Sequence, residues 1–152
     1  MQPRWKDGSK SMVTVNAIFA GFTGALIAHY AFDIRDHYVS DTARTLCFVV
    51  SAAAFWLFAF AAEKITDALD EGKVRKYLWS MFMYNLGVVL AILSVTLYLT
   101  ALYGWSWQWL LPLALSAYPW LKDTGWIFYN SIFRPKVIND YIEKELLASS
   151  DT

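Results

Sequence analysis

The sequence holds one cysteine, two histidines and four prolines in 152 residues, and its net charge is zero. The single thiol, Cys47, excludes an internal disulfide and any thiol redox pair. A zero net charge with no basic stripe excludes a nucleic-acid binder, because nothing is available to neutralise phosphates. Charged residues make up 17% of the chain, below the usual quarter, and three stretches carry none.

What fills those stretches is apolar. The chain is 57% hydrophobic and 18% aromatic, with eight Trp, more than a soluble domain of this size can bury. Charge is absent between Lys10 and Asp33, between Arg44 and Glu63, and between Lys76 and Lys122, gaps of 22, 18 and 45 residues. About 20 apolar residues cross the ~30 Å hydrocarbon core. The first two gaps fit one span each. The third would be a helix of ~67 Å, so it is expected to fold as two spans around Tyr103-Gly104-Trp105-Ser106, the one Gly-centred break that leaves usable lengths on both sides. The expected architecture is all-α: an integral membrane bundle of four helices over residues 12–32, 42–63, 77–101 and 107–125, with a short amphipathic helix at 136–147, in one domain. The first apolar run is long for a signal-peptide core and no small-x-small site follows it before Asp33, so it is expected to remain as a span.

Lys and Arg set orientation. The N-terminal segment, the second loop and the C-terminal segment together carry eleven, and the other side carries Arg35 and Arg44 alone. Both termini are therefore expected in the cytoplasm, with the plasma or inner membrane as the location. Trp105, Trp107 and Trp109 fit the outer interface, and Trp79, Trp120 and Trp126 the inner one.

Along the chain, span 1 places small residues at four-residue steps, Asn16, Ala20, Gly24 and Ala28 on one ridge and Ala17, Gly21 and Ala25 on the next. Such ridges let helices approach closely in lipid, within the chain or between copies. Asp41 is the expected N-cap of span 2 and Gly72 its stop. Glu63, Asp67 and Asp70 share a helical face. Read plainly they belong to a solvated hairpin whose acidic half attracts Lys73, Arg75 and Lys76. Read more sharply they form an acidic ring at a pore mouth. In span 3 Ser80, Gly87 and Ser94 recur every seven residues and form a small, weakly polar seam. Asn85 is its one strongly polar neighbour, expected to join helices and less readily to line a pore. Pro112 and Pro119 predict a kink in span 4. The uncharged part ends at Leu121, so the helix either continues past Lys122 and Asp123 or gives way to an interfacial helix at 126–133.

Chemistry is sparse. His29, Asp33 and His37 stand at four-residue steps and would align on a continuous helix as a metal set, but the simpler expectation is that the helix ends before Asp33 and no metal is held. His29 alone, near the interface, is placed to sense pH. Two histidines exclude the multi-histidine di-iron membrane oxygenases. No carboxylate lies deep in a span, which removes the glutamate on which small four-span drug exporters depend. The Arg, Asn and Glu cluster of the glutathione-dependent four-span enzymes has no counterpart in residues 45–62. No phosphate loop and no nucleophile with a nearby base is present. The expectation is a non-enzyme without cofactor. It is either a homo-oligomeric, weakly cation-preferring channel or a membrane anchor or sensor subunit working with a cytoplasmic protein.

Overall fold

A computed structural model describes residues 4–32, 39–71 and 74–147. They form five helices: α1 Arg4–Phe32, α2 Asp41–Glu71, α3 Val74–Tyr103, α4 Trp107–Phe133 and α5 Pro135–Leu147. No strand occurs among the described residues. Asp33, Asp36, His37, Gly72 and Lys73 lie outside them.

The helix ends follow from local chemistry. Ser40 caps α2: its Oγ accepts the Ala43 N–H at 3.2 Å. This corrects the expectation for Asp41, which sits one residue later in the first turn and pairs with Arg44 at 3.8 Å; both residues offer a short oxygen acceptor, and the hydroxyl reaches the orphan N–H. Gly104 ends α3 with φ +74, a left-handed conformation that glycine adopts at no steric cost, and its N–H closes the last turn on Thr100 C=O at 2.9 Å. Ser106 opens α4 by accepting the Gln108 N–H. Pro135 supplies the first residue of α5, where its missing N–H costs nothing.

Among the described residues, three helices are long and apolar enough to cross a membrane, over Lys10–Ala31, Asp41–Ala68 and Arg75–Tyr103. The chain is a helical membrane protein. The fourth helix, expected to be a span as well, does not qualify: α4 runs unbroken for 27 residues through Pro112, Pro119, Lys122 and Asp123, and that charge pair, with the polar Gln108 and Ser116, dilutes its apolar content.

The helices pack in series, α1 on α2, α2 on α3 and α3 on α4, with slight contact between α1 and α3. The central seam is α2 against α3. On α2 the buried residues are Cys47, Ser51, Ala54, Phe58, Ala61, Ile65 and Ala68, alternating steps of four and three, the heptad spacing of a left-handed helix pair. On α3 Ser80, Tyr84, Gly87, Ala91 and Ser94 are buried in the same steps, with Leu78, Asn85 and Val88 buried beside them. Most members are small, so the backbones come close. Phe58 is a large exception, fully buried, whose ring fills the space over Gly87: a Cβ there would lie 3.0 Å from Phe58 Cε1.

Around Phe58 a cluster of rings ties four helices together. Tyr84 of α3 lies 5.7 Å from Phe19 of α1, 5.9 Å from Phe58 of α2 and 5.5 Å from Trp120 of α4, between ring centroids. Phe82 and Phe128 stack at 6.1 Å and hold the later part of α4 to α3. Outward faces are apolar instead, with Ile18, Trp56, Leu115 and Tyr118 exposed, the pattern of a surface solvated by lipid rather than water.

Candidate functional site

Polar side chains gather in three places. At the Gly104 end, α1, α2 and α3 share a hydrogen-bonded cluster. Ser94 Oγ lies 2.6 Å from Ser51 Oγ, 3.2 Å from the Cys47 C=O and 3.4 Å from Tyr30 Oη. A serine hydroxyl has one proton and two lone pairs. Ser94 shares its one proton between the Cys47 C=O and Tyr30 Oη and accepts from Ser51. Beside this cluster His29 Nε2 is 2.9 Å from Tyr98 Oη, and the Tyr30 and Tyr98 rings lie 5.2 Å apart. His29, named from the sequence for pH sensing, is thus joined to α3. Tyr30 and Tyr98 had no sequence signal, since 69 residues separate His29 from its partner.

At the opposite end, the α2–α3 hairpin carries the acidic face. Asp67 pairs with Lys64 at 3.0 Å and with Lys76 across the hairpin at 3.6 Å. Glu63 lies 3.2 Å from Lys64. Asp70 is exposed. Two lysines therefore stand among the three carboxylates, which lowers the field such a face could project. Helix α5 braces the same end: Ile142 packs with Tyr77 against buried Ala68, and Ile138 is buried too.

The third place is mid-chain. Ser80 Oγ donates to Ala61 C=O at 3.0 Å. Thr96 and Thr100 donate to Ile92 C=O and Thr96 C=O of their own helix, each at 2.8 Å. These hydroxyls are satisfied inside the chain. Asn16 and Asn85 are not fully so: both are buried, and the Oδ1 of each lacks a hydrogen-bond partner among the described residues.

The small-residue sets separate. Ser80, Gly87 and Ser94 are buried in the α2–α3 seam and serve packing within the chain. On α1, Ala20 and Gly24 are half-buried and Ala28 is exposed, and a Cβ on Gly24 would meet one Phe55 atom at 4.0 Å. The second ridge, Ala17, Gly21 and Ala25, is exposed, with nothing within 4 Å of a Cβ on Gly21. No three His, Cys, Asp or Glu side chains meet among the described residues. Compared with known proteins, the chain matches no family model, no curated protein and no solved structure, so the functional reading rests on these groups.

Proposed function

We propose that the protein is a non-enzymatic membrane subunit, an anchor or sensor that presents its hairpin end to a cytoplasmic partner protein. The supporting observation is the braced hairpin: α2 and α3 continue to a shared tip, tied by Asp67–Lys76 and backed by α5, while the opposite α3–α4 connection is only Gly104 to Ser106. This braced hairpin lies at the end that carries eleven of the thirteen basic residues and so faces the cytoplasm in this reading. In this reading α4 makes a fourth crossing. Its 27 residues span ~40 Å, more than the ~30 Å core, and Lys122 and Asp123 reach the inner interface by extending along the helix.

Two measurements test this. Reporters placed after Thr152 and between Asp70 and Lys73 read cytoplasmic, and one within residues 34–40 reads external; a C-terminal reporter on the outside removes the fourth crossing. A photo-crosslinking side chain at Thr66 or Asp70, in cells at native expression, gives a discrete adduct with one soluble protein, and one at Trp105 gives none. Equal or absent adducts at the two ends defeat the partner reading.

A homo-oligomeric, weakly cation-preferring channel is the second reading, favoured by the lipid-facing ridge of Ala17, Gly21 and Ala25. It predicts that Gly21→Leu leaves the fold of one chain intact, since the position is open, yet breaks assembly. Mass in gentle detergent and reversal potentials in asymmetric KCl decide it; a strictly monomeric, non-conducting wild type ends this reading.

A further inference from the structure

A groove of about 450 Å³ runs between α3 and α4, on the Gly104 side of the ring cluster. Its α3 wall runs from Val89 through Leu93 and Thr96 to Thr100, and its α4 wall from Trp107 through Leu111 and Ala114 to Ala117. Each set is one helical face. The groove is open because α4 is thin here: alanine stands at both 114 and 117, and two methyl groups fill little of the space. The next step of three closes it. Trp120 meets Tyr84 at 5.5 Å between ring centroids, and Phe128 stacks on Phe82 further along. At the other end Trp105 and Trp107 line the mouth, each 68% exposed.

Between its ends the groove is hydrocarbon. No charged side chain lines it among the described residues. Thr96 and Thr100 give their hydroxyl protons to carbonyls of their own helix, so neither seeks a partner in the groove. A polar or charged occupant would lose its water and gain no hydrogen bond. The occupant is therefore apolar, and the dimensions choose among apolar ones. From Val89 to Thr100 the wall rises ~17 Å at ~1.5 Å per residue, about half of the ~30 Å hydrocarbon core. A helix of a second copy crosses both leaflets and needs the face to continue past Val89, where Trp120 already covers Tyr84. A lipid acyl chain keeps to one leaflet. It starts at the headgroup level, where Trp belongs, and ends near the bilayer centre. At ~30 Å³ for a group the size of water or a methylene, 450 Å³ takes about fifteen groups, the content of one chain. We propose that the α3–α4 groove binds a single acyl chain of a membrane phospholipid, with the headgroup resting at Trp105 and Trp107. The site requires α4 to lie beside α3 in the bilayer, and requires neither the partner reading nor the channel reading.

The test uses the purified full chain in phosphatidylcholine vesicles that contain a trace of a phosphatidylcholine with a diazirine at mid-chain. Light expels nitrogen from the diazirine, the carbene inserts into neighbouring C–H bonds, and peptide mass spectrometry maps the adducts. Adducts at residues 92–97 and 110–117 are at least fivefold denser than at Ile18 and Trp56, which are also exposed on apolar faces. Ala114→Phe fills the groove and lowers its adducts at least fivefold, while those at Ile18 and Trp56 stay. Ala114 is exposed, so the fold accepts the ring, and Ala117→Phe is a second variant with the same expected loss. Native mass spectrometry retains one phospholipid on the wild type and none on Ala114→Phe. Even labelling of α1, α2 and α4 overturns the site and keeps the fourth crossing; an unlabelled α4 removes both. Unchanged groove labelling in the two alanine variants, each shown to be folded by circular dichroism, overturns the proposal as well. So does a chain-to-chain adduct from a photo-crosslinking side chain at Leu93, which would assign the groove to a second copy.

Discussion

Gly87→Leu strongly destabilises the isolated chain. Even a methyl group there lies 3.0, 3.1 and 3.2 Å from three atoms of the Phe58 ring, tighter than ordinary contact. Phe58 cannot swing aside, because it is fully buried and has Phe19 at 5.3 Å and Tyr84 at 5.9 Å on its other sides. A leucine must therefore push α2 and α3 apart along their whole seam. The loss is expected at roughly 3 kcal/mol, the upper end of the overpacking range. Separation also lengthens the Ser80–Ala61 and Ser94–Ser51 hydrogen bonds. Unfolding in detergent, followed by circular dichroism, measures it. The double variant Gly87→Leu with Phe58→Ala recovers part of the loss, since the removed ring vacates the space that the leucine needs. Absence of recovery would place the damage elsewhere than at this contact.

Tyr84→Ala has the second large effect. The side chain is 5% exposed and its ring is the one that meets α1, α2 and α4 together. Removing it leaves a cavity where those helices converge, a change expected to cost about 3–5 kcal/mol. Van der Waals packing is the main source of helix association in lipid, so the bilayer offers little compensation. Loosening is expected first in α4, whose Trp120 loses its partner while α1 and α2 keep the Phe19–Phe58 contact. Tyr84→Phe retains the ring and stays near wild-type stability. Protease or thiol-labelling accessibility at α4, read alongside global unfolding, distinguishes the two outcomes. If Tyr84→Phe is as damaged as Tyr84→Ala, the hydroxyl and not the ring matters, and this account of the core is wrong.

These two sites show what the sequence carries and what it hides. The lack of charge over 22 and 18 residues reveals α1 and α2 because lipid forbids charge over a fixed length, a constraint that needs no knowledge of neighbours. The seven-residue recurrence of Ser80, Gly87 and Ser94 likewise marks one face of α3. The partner of that face is harder to read. The matching heptad on α2 is embedded in a helix rich in alanine throughout, so its spacing does not stand out, and nothing local indicates that Phe58 points at Gly87. Contacts between distant positions are hidden for the same reason: His29 with Tyr98, and Asp67 with Lys76. Spacing places Glu63, Asp67 and Asp70 on one face but does not show that Lys64 and Lys76 stand among them. Helix α4 is the weakest reading. Its turn and its capping Ser106 are local and visible, yet tryptophan, proline and a charge pair make a crossing helix and an interfacial one look alike in composition.

The serial packing of the helices has a consequence for how the protein is made. Each helix lies against the one synthesised just before it, and the connections at 104–106 and 134 are only a few residues long. Contacts of this kind require little loop closure and form fast. The α1–α2 pair can assemble while α3 is still within the ribosome, and the α2–α3 seam can close before α4 has emerged. What comes last is α4 with α5, and with them the Trp120 and Phe128 contacts on α3. A nascent chain would thus acquire a sound three-helix body first and the α5 brace of its hairpin end only at the final step of synthesis.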